Sequence, residues 1–285
     1  MSTQVTTAFV NQFSANVSLL SQQMGSLLRG AVDVENVTGE KAYFDQIGSS
    51  SAVARTSRHQ STPMVETPHS RRQVGLTTYE WADLIDDSDK VRMLADPTSS
   101  YARAAAAAMG RSQDDTIISA LGGTSKTGKE GATSTALPAA SKIAHGSAGL
   151  TIAKLVTAKK KLDEADTDPS IKRYIVVSPE QIEDLLNTTN VTSADFNTVK
   201  ALVQGDIDTF VGFKFITSNR LLDDGTSRLC YAFTQDGMKM AIGKDVMARI
   251  DERSDKSYST QVFYCASFGA TRMQETSVVE IACNE

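Results

Sequence analysis

This sequence is poor in the residues that staple, ligate or catalyse. It has three cysteines, three histidines and one tryptophan in 285 residues. Cys230, Cys265 and Cys283 are odd in number and lack C-x-x-C spacing, so neither a disulfide framework nor a zinc site is suggested, and a reducing compartment fits. No run reaches the roughly 20 apolar residues that span a bilayer. The first residues show no basic region followed by an apolar stretch, so synthesis and use in the cytoplasm, without a membrane partner, is the expectation. Without a secretory signal the sequons at Asn16, Asn36, Asn187 and Asn190 are chance matches. Basic excess is missing too. Lys and Arg number 29 against 34 Asp and Glu, a formal charge of −5 with pI near 5.3. That balance excludes a surface built throughout to grip nucleic acid, so any DNA contact is local or weak.

What is present is a long helix with unlike flanks. Thr98–Leu121 has Asp96, Pro97, Thr98 and Ser99 as a start signal, the run Ala104–Ala108, and Gly122 and Gly123 at its end. It predicts a helix of roughly 35 Å. Ala102, Ala105, Ala106, Met109, Ile117, Ala120 and Leu121 fall mostly on one side, with Arg103, Arg111 and Asp114 opposite.

The preceding residues look unable to bury themselves. Residues 7–29 place Phe9, Phe13, Val17, Leu20, Met24 and Leu27 at steps of three or four, predicting an amphipathic helix that packs on its own core or docks on a neighbour. Two short strands follow, around Val32–Val34 and Ala42–Ile47. Between Gly48 and Arg72 only Val53, Met64 and Val65 are sizeable apolar residues, set among Arg55, Arg58, His59, Arg71 and Arg72. Such a stretch cannot offset the entropy of ordering itself, which points to an extended arm ordered against another subunit. A strand-like run at Gln73–Ile85 leads to the acidic residues Asp83, Asp86, Asp87 and Asp89, where opposite charges from the arm can meet.

After the helix, residues 122–149 read as a Gly, Ser and Thr-rich surface loop. A helix is predicted at 150–166, a strand at Tyr174–Val177, and a capped helix starting at Ser178, Pro179 and Gln181. Phe196–Val203 suggests a further helix. Strands are expected at Phe210–Thr217, Arg228–Phe233, Ala248–Glu252, Gln261–Ala270 and Ser277–Ala282, with a turn at Asp223–Gly225. The body is α+β.

Chemical motifs fail one by one. Gly123–Glu130 matches GxxxxGK, but Glu130 stands where a metal-holding hydroxyl belongs, and no strand precedes the loop. His145–Gly149 resembles a nucleophile elbow, yet His145 replaces its first glycine, and His59 and His69 lie far off in the arm. Asp114 and Asp115 are adjacent on a helix and point apart, so they cannot share a proton. No catalytic residue, metal ligand or cofactor is predicted.

Three ordered blocks carry a family likeness: residues 56–72, Tyr79–Asp86 and Asp96–Ala102, joined by the stretch from Ala248 to Arg272. Together they resemble the major capsid proteins of tailed bacteriophages. The resemblance implies the Hong Kong ninety-seven capsid fold. On this chain it would give an N-terminal arm at 1–30 and an extended hairpin loop at 31–78. A peripheral domain at 79–167 would hold the spine helix 98–121 and the surface loop 122–149. An axial domain would follow at 168–245, and peripheral strands at 246–285. It implies a non-enzymatic homo-oligomer of hexamers and pentamers that encloses double-stranded DNA through weak contacts. A portal and a separate scaffolding protein would be partners, with assembly in the host cytoplasm into a virion shell. Intersubunit contacts are expected from Phe9, Phe13, Val17, Leu20, Arg55, Arg58, Arg71, Arg72, Asp83 and Asp86. Two alternatives stay open: a nanocompartment shell of the same fold around an enzyme cargo, and, more distantly, a hydrolase using Ser147.

Overall fold

The computed structural model describes residues 22–85, 98–165, 167–187 and 209–285. In chain order the first elements are β1 (Asp33–Asn36), β2 (Lys41–Ile47), β3 (His69–Gly75), β4 (Thr77–Ile85) and the long helix α1 (Thr98–Gly122). Then come β5 (Ser125–Thr127), β6 (Thr133–Thr135), β7 (Lys142–Ile143), α2 (Ile152–Asp163), β8 (Arg173–Val177) and α3 (Pro179–Asn187). The last are β9 (Thr209–Phe210), β10 (Phe213–Thr217), β11 (Ser227–Thr234), β12 (Met238–Arg253), β13 (Ser259–Arg272) and β14 (Val278–Asn284). Two compact units result. Among the described residues one draws on 22–26, 78–85, 98–112 and 244–267, the other on 27–77, 113–165, 167–187, 209–243 and 268–285.

The larger unit is centred on a six-stranded sheet of order β7-β14-β11-β8-β10-β9. Its middle strands bury Ile175, Val176 and Val177 of β8 and Cys230 to Phe233 of β11 completely. Continuous apolar runs of this kind mark strands covered on both faces. Helix α2 lies against β14 and buries Leu155, Ala158 and Leu162. At the start of α3 the Ser178 N–H donates to Gln181 Oε1 at 2.8 Å, as the capping pattern predicts, but the Ser178 hydroxyl turns to Glu285 instead. The predicted strand Phe210–Thr217 is split in two: Val211 and Gly212 take φ of 52° and 83°, making a turn between β9 and β10.

Helix α1 ends one residue beyond its predicted limit, and its one-sided stripe is corrected. Ala106 is exposed and Asp114 is fully buried. Asp114 Oδ2 and Oδ1 accept the N–H groups of Leu27 and Leu28 at 3.1 and 3.0 Å. The helix predicted at 7–29 is likewise corrected where it is described; Phe9, Phe13, Val17 and Leu20 lie outside the described residues. Residues 22–28 are irregular and lead to a 3-10 turn at Arg29–Ala31, because Asp114 takes two N–H groups that a helix would use and Gly25 turns left-handed at φ 80°. In the smaller unit Arg111 donates to Gln22 Oε1 at 2.7 Å, and a Cβ at Gly110 would lie 2.3 Å from the carbonyl carbon of Gly25. The two backbones touch there.

The C-terminal end of α1 is held by Arg272, which is fully buried. Its Nη1 donates to the carbonyls of Leu121 and Gly123 at 2.8 and 2.9 Å, and its Nη2 to that of Thr135 at 3.3 Å. A cation at this end satisfies carbonyls the helix leaves open and suits its dipole.

Candidate assembly surface

The arm is a hairpin with a firm base and a bare length. Strands β2 and β3 pair antiparallel with Ala42 opposite Val74, Phe44 opposite Arg72 and Asp45 opposite Arg71. Their alternation separates two faces. On the inner face Ala42, Phe44 and Val74 pack with Ala241 and Met273, flanked by Val37 and Leu76. Arg72 is buried on this face, with Nε on the Met273 carbonyl at 2.8 Å and Nη2 on Glu275 Oε2 at 2.7 Å. On the outer face Arg71 grips Asp45 through two hydrogen bonds of 2.5 and 3.1 Å, and its guanidinium lies 5.6 Å from the Tyr43 ring centre. The hydrogen bond from Arg71 holds the Asp45 carboxyl below its usual range and raises the guanidinium's pKa.

Residues 122–149 extend this base rather than forming only a loop. β5 pairs with β3 and β6 with β5, giving a four-stranded sheet of order β2-β3-β5-β6. The GxxxxGK stretch supplies β5 and the start of the turn of that added hairpin, and the Gly128 N–H donates to the Arg71 carbonyl at 3.2 Å. His145–Gly149 also has a structural task. Lys154 Nζ donates to the carbonyls of His145, Ala148 and Gly149 at 2.6 to 2.8 Å and to that of Ala282 at 3.1 Å. Burial pushes its ammonium pKa down.

Beyond the base, residues 48–68 are exposed apart from the half-buried Thr67. The loop is closed by the Gly48 N–H on the Pro68 carbonyl at 2.8 Å. Ile47 is 69% exposed and Met64 96%, with Val53 and Val65 also exposed. Arg55 and Arg58 are exposed, and Arg55 Nε donates to the Ser57 carbonyl at 2.8 Å. Of the remaining expected contact residues, Asp83 is half-buried on β4 and Asp86 lies outside the described residues. Within the subunit Arg71 pairs with Asp45 and Arg72 with Glu275. Sequence reasoning missed Asp45, although its place opposite Arg71 follows from pairing the two alternating runs. Glu275, about 200 positions away, had no such signal.

A limb packed at its base and exposed along its free length belongs to a subunit built to be completed by others. The fold places that subunit among phage shells. The chain belongs to the phage capsid protein family, whose model matches residues 5–285. It is similar to the capsid of cyanophage P-SCSP1u at 17% identity and TM-score 0.74, covering 100% of this chain and 96% of that one. It is similar to the capsid of cyanophage Pam1 at 12% identity and TM-score 0.74, covering 98% and 97%. A structure from Mycobacterium phage Che8 aligns at 18% identity and TM-score 0.67, covering 96% and 97%. No curated protein matches the chain in sequence. The α+β architecture is the Hong Kong ninety-seven fold, and the protein is a structural component of a phage capsid shell. Nothing favours the nanocompartment alternative.

Proposed function

We propose that copies of this protein close into an icosahedral head around double-stranded DNA, and that the exposed arm at 48–68 docks on neighbouring copies. The observation that carries this reading is the arm itself: about twenty residues that bury almost nothing in their own subunit, set on a base whose inner face is packed. Ordering it costs about 1 kcal/mol or more per residue, which only a partner surface repays. Arg55 and Arg58 are the basic contacts of the arm, while Arg71 and Arg72 fix the angle at which it leaves. Residues 1–30 are a second arm, with Phe9, Phe13, Val17 and Leu20 as its docking face, and Asp83 and Asp86 accept basic partners. The spine helix and the strands beside it form a peripheral domain, and residues 168–245 contribute an axial domain around hexamers and pentamers. No chemistry is performed. A portal and a scaffolding protein are the expected partners, with assembly in the host cytoplasm.

Negative-stain microscopy of the purified full chain tests this. Closed polyhedral particles or hexamers are expected, and a monodisperse monomer at high concentration overturns it. Deletion of residues 49–70 should abolish shells while the six-stranded sheet stays folded by circular dichroism. Shells that form normally without the loop refute its assigned role.

A further inference from the structure

We propose that the junction of β5, β11, the base of the arm and the C-terminal end of α1 binds a small monovalent anion of the chloride kind. Arg272 is the reason. It is fully buried, and among the described residues its hydrogen bonds go to carbonyls and to no carboxylate. Buried charges are ordinarily paired with a group of opposite sign. The two carboxylates that act on Arg272 electrostatically are already engaged: Glu275 holds Arg72 at 2.7 Å, and Glu280 holds Lys142 at 2.9 Å. Arg72, Lys142 and Arg272 thus share two carboxylates, and the end of α1 offsets roughly half of the charge left over. Burial pushes the Arg272 guanidinium's pKa down, the sign of a cation short of compensation.

The donors around Arg272 are open as well. Arg272 Nε, Arg72 Nη1 and the hydroxyls of Tyr231 and Ser125 are buried without a hydrogen-bond partner. Buried polar atoms left open in a native fold point to a bound water or ion. The fold gathers these four at one place. A Cβ on Gly122 would stand 2.3 Å from the Tyr231 hydroxyl, and Gly122 lies between the two residues whose carbonyls hold Arg272 Nη1. Ser125 is opposite Thr135 in the β5–β6 pair, and the Thr135 carbonyl takes Arg272 Nη2. Arg72 Nε bonds the carbonyl of Met273, the residue after Arg272. Burial pushes the Tyr231 phenol up, so its O–H stays a donor. A water accepts from one or two such groups and leaves the charge in place, whereas a halide accepts from several and cancels it. Glu275 Oε1 is also buried and open, and a water beside the ion serves it. With Glu275 and Glu280 both close to Arg272, a divalent anion would meet more repulsion than a monovalent one. The ion ties the arm, through Arg72, to the end of α1, through Arg272.

The experiment is thermal unfolding of the full, unassembled chain while sodium gluconate is replaced stepwise by sodium chloride, with ionic strength fixed so that screening is constant. Reading the unassembled chain separates this site from how the arm docks. The melting temperature should rise by about 2 °C or more with chloride and then level off, as binding to the folded state alone requires. Tyr231→Phe and Ser125→Ala each remove one donor and keep the shape, so each should move the midpoint of that rise to about tenfold more chloride. A shift in either variant upholds the site. Equal melting temperatures in the two salts, or wild-type midpoints in both variants, overturn it and leave buried water only. If neither variant folds by circular dichroism, crystals of the wild-type chain grown in sodium bromide decide. An anomalous peak at hydrogen-bond distance from Arg272 Nε upholds the site, and its absence overturns it.

Discussion

Asp114 shows how far a single side chain can depart from its sequence pattern. Read by periodicity it belongs on the polar side of α1, yet it is buried with two backbone N–H groups on its oxygens. Helical spacing locates a residue on a face, but it does not say whether a distant irregular segment will need an acceptor there. Asp114→Ala leaves those N–H groups without their acceptor and should cost about 2–3 kcal/mol in urea unfolding, with faster amide exchange at Leu27 and Leu28. The opposite sign is expected at Val211, where Asn tolerates the left-handed backbone: Val211→Asn should gain about 1 kcal/mol by the same assay. Glu285 gives a pH dependence. Arg228 Nε donates to its Oε2 at 2.9 Å and Gln181 Nε2 to its Oε1 at 2.5 Å, and the hydrogen bond from Arg228 is the main cause holding its carboxyl below 4.5. A carboxyl depressed in the folded state stabilises above its unfolded pKa, and that contribution is lost as pH falls through the folded value. The melting temperature of the wild-type chain should therefore drop below about pH 4.5 more steeply than that of Glu285→Gln.

At the scale of elements, the sequence revealed those that carry their own signal. The alanine-rich α1, the apolar β8, the capped α3 and the alternating β2 were all legible because local composition decides them. The run at Gln73–Ile85 divides at Leu76 into β3 and β4, which join different sheets, and no local pattern names a strand's partner. β5 and β6 are made of Ser, Thr and Lys, without apolar alternation, and exist because the edge of β3 is available to pair with. The helix suggested at Phe196–Val203 lies outside the described residues. Arg272 was invisible as a cap because it acts on α1 from about 150 positions away. Arg272→Leu should cost about 3 kcal/mol or more in urea unfolding, as three carbonyls lose a charged donor. Arg272→Lys should recover part of this, since a point charge lacks the planar fork.

For the whole molecule, the informative feature of the sequence was a deficit of buriable residues over one long stretch, read together with an ordinary core elsewhere. Many modest contacts per subunit suffice for a shell, because each neighbour already held in place raises the effective concentration of the next. Arg55→Glu with Arg58→Glu should reduce particle yield in micrographs while the isolated chain's melting temperature stays put, since among the described residues Arg55 bonds within its own loop and Arg58 is exposed. A matching loss of melting temperature would place these side chains in the subunit's own fold instead.

The contact of Gly110 with Gly25 has a genetic corollary. With a carbonyl carbon 2.3 Å from where any Cβ must stand, even alanine has no room. In a phage carrying a saturated library at codon 110, every surviving plaque should encode glycine, while codons across the arm's exposed loop drift freely wherever neighbouring subunits do not read them.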